Sequence, residues 1–92
     1  MKTITVECEG VASEAEFWHR YVEATNPLSK EYFGRNLDAF WDAVEGGGPG
    51  WPGDVALIFK NAVSLAPLRD GRFLAALKEI ASEASTSITI NP

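Results

Sequence analysis

Between Thr3 and Cys8 apolar and polar residues alternate strictly, with Ile4, Val6 and Cys8 set against Thr3, Thr5 and Glu7. A period of two puts the first set on one face of a strand and leaves the second to water, so the pattern predicts a first strand buried on one side. The period then changes. Ser13 and Glu16 form a capping-box pair, and Phe17, Tyr21 and Ala24 recur at helical spacing until Asn26-Pro27, which predicts a first helix from Ser13 to Thr25. A second helix opens after Asn36, whose short side chain can accept from the free N–H groups of the first turn. Leu37, Phe40, Trp41 and Val44 fall at i, i+3, i+4 and i+7, and Gly46 is expected to supply the left-handed residue that ends the helix.

The run Gly46-Gly47-Gly48-Pro49-Gly50-Trp51-Pro52-Gly53 sustains neither helix nor strand and reads as a loop. After it, Val55 to Phe59 is continuously apolar between Asp54 and Lys60, which suits the middle strand of a parallel sheet. A short helical piece is expected around Asn61 to Pro67. A third helix follows from Asp70 to Ala84 with Phe73, Leu74, Leu77, Ile80 and Ala81 on one face, and a last strand from Thr86 to Asn91 alternates Ile88 and Ile90 against Ser87 and Thr89. Strand, helix, helix, strand, helix, strand implies parallel strands joined by right-handed crossovers. With the most apolar strand central, the sheet order is 1-2-3 and both crossovers place their helices on the same side. The expected architecture is a two-layer α/β fold, a three-stranded parallel sheet with helices on one face, forming one domain over residues 1–92.

Composition narrows the function. With 46% hydrophobic and 23% charged residues the chain can bury a core and stay in solution. Thirteen carboxylates against eight Lys and Arg give a net charge of −5, which repels phosphate backbones and anionic lipid and attracts basic surfaces, so neither nucleic acid nor membrane is an expected partner. The lone Cys8 has no internal disulfide partner, and His19, the one histidine, cannot assemble a zinc site or a nucleophile–base pair with it. Cys8 is expected in the core and His19 at the surface. The glycine loop lacks the Gly-Lys-Ser/Thr ending of a phosphate cradle and precedes a strand instead of a helix. No leader-like or membrane-spanning apolar run is present, and the expected location is cytoplasmic. These features point away from an enzyme and from any cofactor.

On the second helix Asp38, Asp42 and Glu45 share an exposed ridge bordered by Trp41. The helix dipole favours Asp38 near the N-terminus but not the other two, and like charges at i, i+4 cost an isolated helix about 0.2–0.5 kcal/mol. Helix stability therefore does not account for the ridge, which is either a solvated acidic face or a contact surface for a basic partner. A convex helix face offers no pocket to raise a carboxyl pKa for acid–base work. Ahead of the cap, Tyr32-Phe33-Gly34 places two aromatics next to a glycine free to take a positive φ. Trp18 is expected in the core, while Trp51 either folds back as a lid or is available to a partner.

The run Glu31-Tyr32-Phe33-Gly34-Arg35-Asn36-Leu37-Asp38-Ala39-Phe40-Trp41-Asp42 resembles the signature of the barstar family, small intracellular inhibitors of secreted bacterial ribonucleases. The resemblance extends over the chain in element order. It implies a 1:1 complex with a basic ribonuclease of the barnase or RNase Sa type, contacted through residues 32–46. It assigns Tyr32 to the nuclease's catalytic histidine region, Asp38 and Asp42 to its phosphate-binding groups, and Trp41 to the edge of the contact, with Gly34, Asn36 and Glu45 also expected among the partner-binding residues. Asp42 would be the central anchor, standing in for a substrate phosphate. Glu79 on the third helix is the nearest match to a further family acid. Arg35, Glu45 and the longer glycine loop depart from the family pattern, so the resemblance implies the class of partner and not the particular nuclease. The alternative is an interaction or immunity module of the same fold for a partner that is not a ribonuclease.

Overall fold

The computed structural model describes all 92 residues. Three strands, β1 (Lys2–Glu7), β2 (Val55–Lys60) and β3 (Ile88–Ile90), form a parallel sheet in the order β1-β2-β3. Three helices accompany it, α1 (Glu14–Thr25), α2 (Leu37–Gly46) and α3 (Arg72–Glu83), with short 3-10 turns at Lys30–Tyr32, Ala62–Leu65 and Leu68–Gly71. The register pairs Ile4 with Leu57, Val6 with Phe59 and Leu57 with Ile88. That row joins the core. The alternate row, Thr3, Thr5 and Thr89, is exposed, and Ala56 and Ile58 beside them are half-buried, so one face of the sheet is covered and the other meets water. The continuous apolar run of β2 thus carries more hydrophobicity than its open face needs.

Beyond the strand limits the pairing continues as single hydrogen bonds. The Cys8 N–H donates to the Lys60 carbonyl at 2.9 Å, and Asn91 exchanges bonds with Phe59 and Ala62. The last strand is therefore shorter than the expected Thr86 to Asn91, although its ladder reaches from Ser87 to Asn91. No helix is long and apolar enough to cross a membrane.

Seven of the ten aromatic residues meet in one cluster beneath the helices. Phe17 lies 5.5 Å from Phe59 and 5.1 Å from Phe73, Trp18 lies 5.5 Å from Phe40 and 5.7 Å from Phe33, and Tyr21 meets Phe33 and Phe40. Such edge-to-face and offset pairs add about 0.5–1.5 kcal/mol each beyond the area they bury. Trp18 is in the core as expected, although its indole N–H has no hydrogen-bond partner. Burial on α1 follows Phe17, Trp18, Tyr21, Val22 and Thr25, and Ala24, expected on that stripe, is exposed. A helix turns 100° per residue, so Thr25 lies under Trp18 and Tyr21 while Ala24 is carried off their face. Cys8 is fully buried, and the loss of hydration pushes its thiol up to about 11. His19 is exposed, in reach only of Glu23.

The start of α3 differs from expectation. The helix does not begin at Asp70; Arg69 and Asp70 both take left-handed backbone angles, Gly71 at φ 88° precedes the helix, and the first helical residue is Arg72. Arg69 grips Glu14 of α1 through two N–H···O bonds of 2.5 and 2.8 Å, which fixes this turn against the opposite helix. Phe73 and Leu77 are the buried positions of α3, with Leu74 and Ile80 packed beside them. Ala81, expected on the same face, turns instead toward Ile88 and Ile90 at the β3 edge.

Candidate functional site

Three residues with different roles build the approach to α2. Phe33 is buried against Trp18 and Tyr21, which anchors the chain just before the helix. The Asn36 side chain accepts the Ala39 N–H at 2.7 Å, capping α2 as its sequence position requires. The positive φ expected at Gly34 falls instead on Arg35, at φ 53°. Gly34 is needed for space, since a Cβ there would lie 3.1 Å from the Ala39 Cβ. Tyr32, one residue ahead of the Phe33 anchor, is 76% exposed.

Along α2 the buried residues are Phe40, Ala43 and Val44, with Leu37 half-buried at the start of the helix and packed against the edge of the core. Trp41, expected on that stripe, is half-buried and does not join the core, because the 100° turn places it at the boundary with the acidic side. Asp38 and Asp42 lie one helical turn apart, and neither makes an internal hydrogen bond through its side chain or an ion pair. Glu45 continues the ridge but is engaged within the fold: its Oε2 accepts the Ser85 backbone N–H at 2.7 Å and the Ser85 hydroxyl at 3.0 Å. Glu79 is exposed on α3, about 200° around the helix from the buried Leu77, and no hydrogen bond or ion pair ties it to α2.

The end of α2 is set one residue later than expected. Gly46 is the last helical residue and Gly47 takes the left-handed position at φ 74°. The Gly47 N–H donates to Ala43 and the Gly48 N–H to Asp42, so the first two loop residues satisfy the free carbonyls of the helix. The remainder of the glycine loop is equally tied down. Gly50 donates to the Leu28 carbonyl, Leu28 donates to the Trp51 carbonyl, and the buried Tyr21 hydroxyl donates to the Gly50 carbonyl at 2.7 Å. A Cβ at Gly50 would overlap the Phe33 ring, and its φ of 95° excludes other residues without strain. Trp51 is half-buried beside Val44, Glu45 and Val55, so it neither enters the core nor stands free.

A second contact to the loop, Leu28, is not singled out by the sequence. It is 63% exposed, pairs with Gly50 and Trp51 through its backbone, and brings an apolar side chain next to that tryptophan. Its one signal is a large apolar residue directly after Asn26-Pro27, in a segment that otherwise reads as a helix stop. The three aromatics excluded from the core cluster are Tyr32, Trp41 and Trp51, all within residues 32–51. Of these, Trp41 lies on α2 between Asp38 and Asp42 in sequence, Tyr32 precedes the helix, and Trp51 lies in the loop that follows it.

A family model described as Barstar (barnase inhibitor) matches residues 1–90 of the chain. No curated protein matches it.

Proposed function

The chain belongs to the barstar family, whose members bind ribonucleases of the barnase kind, and from that premise we propose that it inhibits a basic secreted-type ribonuclease by covering its active site with residues 32–46. The observation that carries this reading is the pair Asp38 and Asp42, one turn apart without internal partners and flanked by Tyr32 and Trp41. A site of this form matches what a phosphodiester-cleaving cleft offers. Arginine and lysine groups that hold substrate phosphates make charge-assisted hydrogen bonds to carboxylates, and two carboxylates on one rigid helix can occupy two such positions together. Asp42 takes the place of a phosphate as the central anchor, Asp38 meets an adjacent basic group, Tyr32 packs on the catalytic side chains, and the body of α2 keeps RNA out. Glu79 adds an acid from α3.

Rigidity supports the same reading. The Asn36 cap, the Phe33 anchor and the tied glycine loop hold α2 at both ends, so little conformational entropy is lost on binding. The negative net charge of −5 favours encounter with a basic enzyme, and association slows as salt is raised.

The test is an RNA-cleavage assay with guanyl-specific secreted ribonucleases, titrated with the parent protein and with Asp42→Ala. Stoichiometric inhibition by the parent and its loss in the variant are expected. Failure of the parent to inhibit or bind any such enzyme overturns the proposal and favours an interaction module for another partner.

A further inference from the structure

Three of the four arginines are bound through their side chains to other groups of the chain. Arg20 donates to the Glu7 carbonyl and to Glu16, Arg69 binds Glu14, and Arg72 donates to the Arg69 carbonyl. Arg35 is exposed, and its side chain makes neither a hydrogen bond nor an ion pair. Its backbone is left-handed at φ 53°, a conformation in which the Cβ of an L-residue crowds the following carbonyl. Arg69 has nearly the same angle, φ 51°, but there two hydrogen bonds to Glu14 hold the side chain. Arg35 has no such partner within the chain.

Its position adds a second disadvantage, since it directly precedes the Asn36 cap, where the positive end of the α2 dipole disfavours a cation. Each of its neighbours serves the fold. Phe33 fills the core, Gly34 makes room for Ala39, and Asn36 caps the helix. The guanidinium alone contributes nothing of this kind. Ser29 and Asp70 share a left-handed backbone without a side-chain partner, so the angle alone marks no site; Arg35 differs from them in placing a free cation directly before the helix that carries the unpartnered Asp38 and Asp42.

We propose that Arg35 determines the specificity of this binding site by pairing with a carboxylate at the edge of the partner's basic cleft; this rests on the inhibitor reading above. A planar guanidinium binds a carboxylate through two parallel N–H···O bonds, which makes the contact selective for an acid in one orientation. The same charge repels any nuclease that carries lysine or arginine at that place. The acidic pair Asp38 and Asp42 selects basic ribonucleases as a class, and Arg35 selects among them those with an acidic rim.

The experiment measures inhibition of a panel of basic secreted ribonucleases by the parent, Arg35→Gly, Arg35→Glu and, separately, Asp42→Ala. Against the enzyme the parent inhibits best, Arg35→Gly is expected to weaken inhibition about 10- to 100-fold and Arg35→Glu more. Changing one rim carboxylate of the nuclease to lysine should restore inhibition by Arg35→Glu. Arg35→Gly should melt at or above the parent temperature, because glycine takes this φ without strain. Undiminished inhibition by Arg35→Glu, with Asp42→Ala still impaired, overturns the role of Arg35 and leaves the inhibitor function standing. So does the absence of any restoring rim carboxylate, or a drop of several degrees in the melting temperature of Arg35→Gly. If the parent inhibits no member of the panel, both proposals fall together.

Discussion

The two ends of α2 carry the same kind of residue and treat it differently. At the N-terminal end Asp38 and, one turn on, Asp42 have no side-chain partner, while the backbone around them is closed by the Asn36 cap. At the C-terminal end Glu45 accepts two bonds from Ser85, and the Thr86 hydroxyl donates to the Val44 carbonyl at 2.7 Å. One end is available to a partner; the other joins α2 to the segment that leads into β3. An acidic stripe that looks uniform on a helical wheel is therefore divided by tertiary contacts into acids the fold uses and acids it leaves free.

The largest effect that would break this comparison is on binding. Asp42→Ala should cost the complex about 2–5 kcal/mol, since truncating one member of a desolvated charge pair strands the other. Its unfolding midpoint in urea should match the parent. Inhibition constants and urea curves on the same preparations check both halves.

A nearly equal effect, but on folding, is expected from the loop that closes the far end. Gly50→Ala should destabilise the protein by about 2–4 kcal/mol, because the added methyl meets the Phe33 ring and the backbone leaves its φ of 95°. Since Phe33 anchors the approach to α2, inhibition should weaken as well. Thermal unfolding followed by circular dichroism measures the first effect, and parent-like melting would show that the ring can move aside.

Glu45→Ala sharpens the contrast from the opposite direction. Losing two bonds from an exposed carboxylate should lower stability by about 1 kcal/mol, discounted for solvent screening. Affinity should change far less than in Asp42→Ala. A variant with parent-like stability and impaired inhibition would move Glu45 to the partner side of the division.

The effect that is smallest at neutral pH, and grows only in alkali, concerns the covered side of the sheet. Burial lifts the Cys8 thiol from 9.0 to about 11 and raises the Tyr21 phenol above its ordinary range. A folded-state pKa above the unfolded one leaves stability intact below about pH 9 and removes it progressively as pH rises toward 11 for the thiol. Urea midpoints measured from about pH 8 to pH 11 should fall over that window. At about pH 8 a thiol reagent should label Cys8 slowly in the native protein and rapidly in urea.

Much of this molecule is legible in the sequence because its signals are local. The alternation in Thr3 to Cys8, the capping pair Ser13 and Glu16, the Asn36 cap and the apolar run of β2 each depend on neighbours within a few residues, and the rule that strands joined by crossovers run parallel then yields the sheet order. Asp38 and Asp42 are visible as a pair for the same reason, since i, i+4 spacing on a capped helix fixes their common face.

Tertiary structure alone decided what depends on distant chain. Glu45 faces the same side as the two aspartates, and only the arrival of Ser85, forty residues on, engages it. The left-handed residue before the cap is Arg35 and not Gly34, whose missing side chain instead leaves room for Ala39. The glycine run reads from composition only as a loop, and Leu28, Tyr21 and Phe33 fix its path by hydrogen bonds and close packing. Sequence periodicity reports which residues share a face; which of them remain free is decided by the pairing of groups that folding brings together, and no local pattern encodes that pairing.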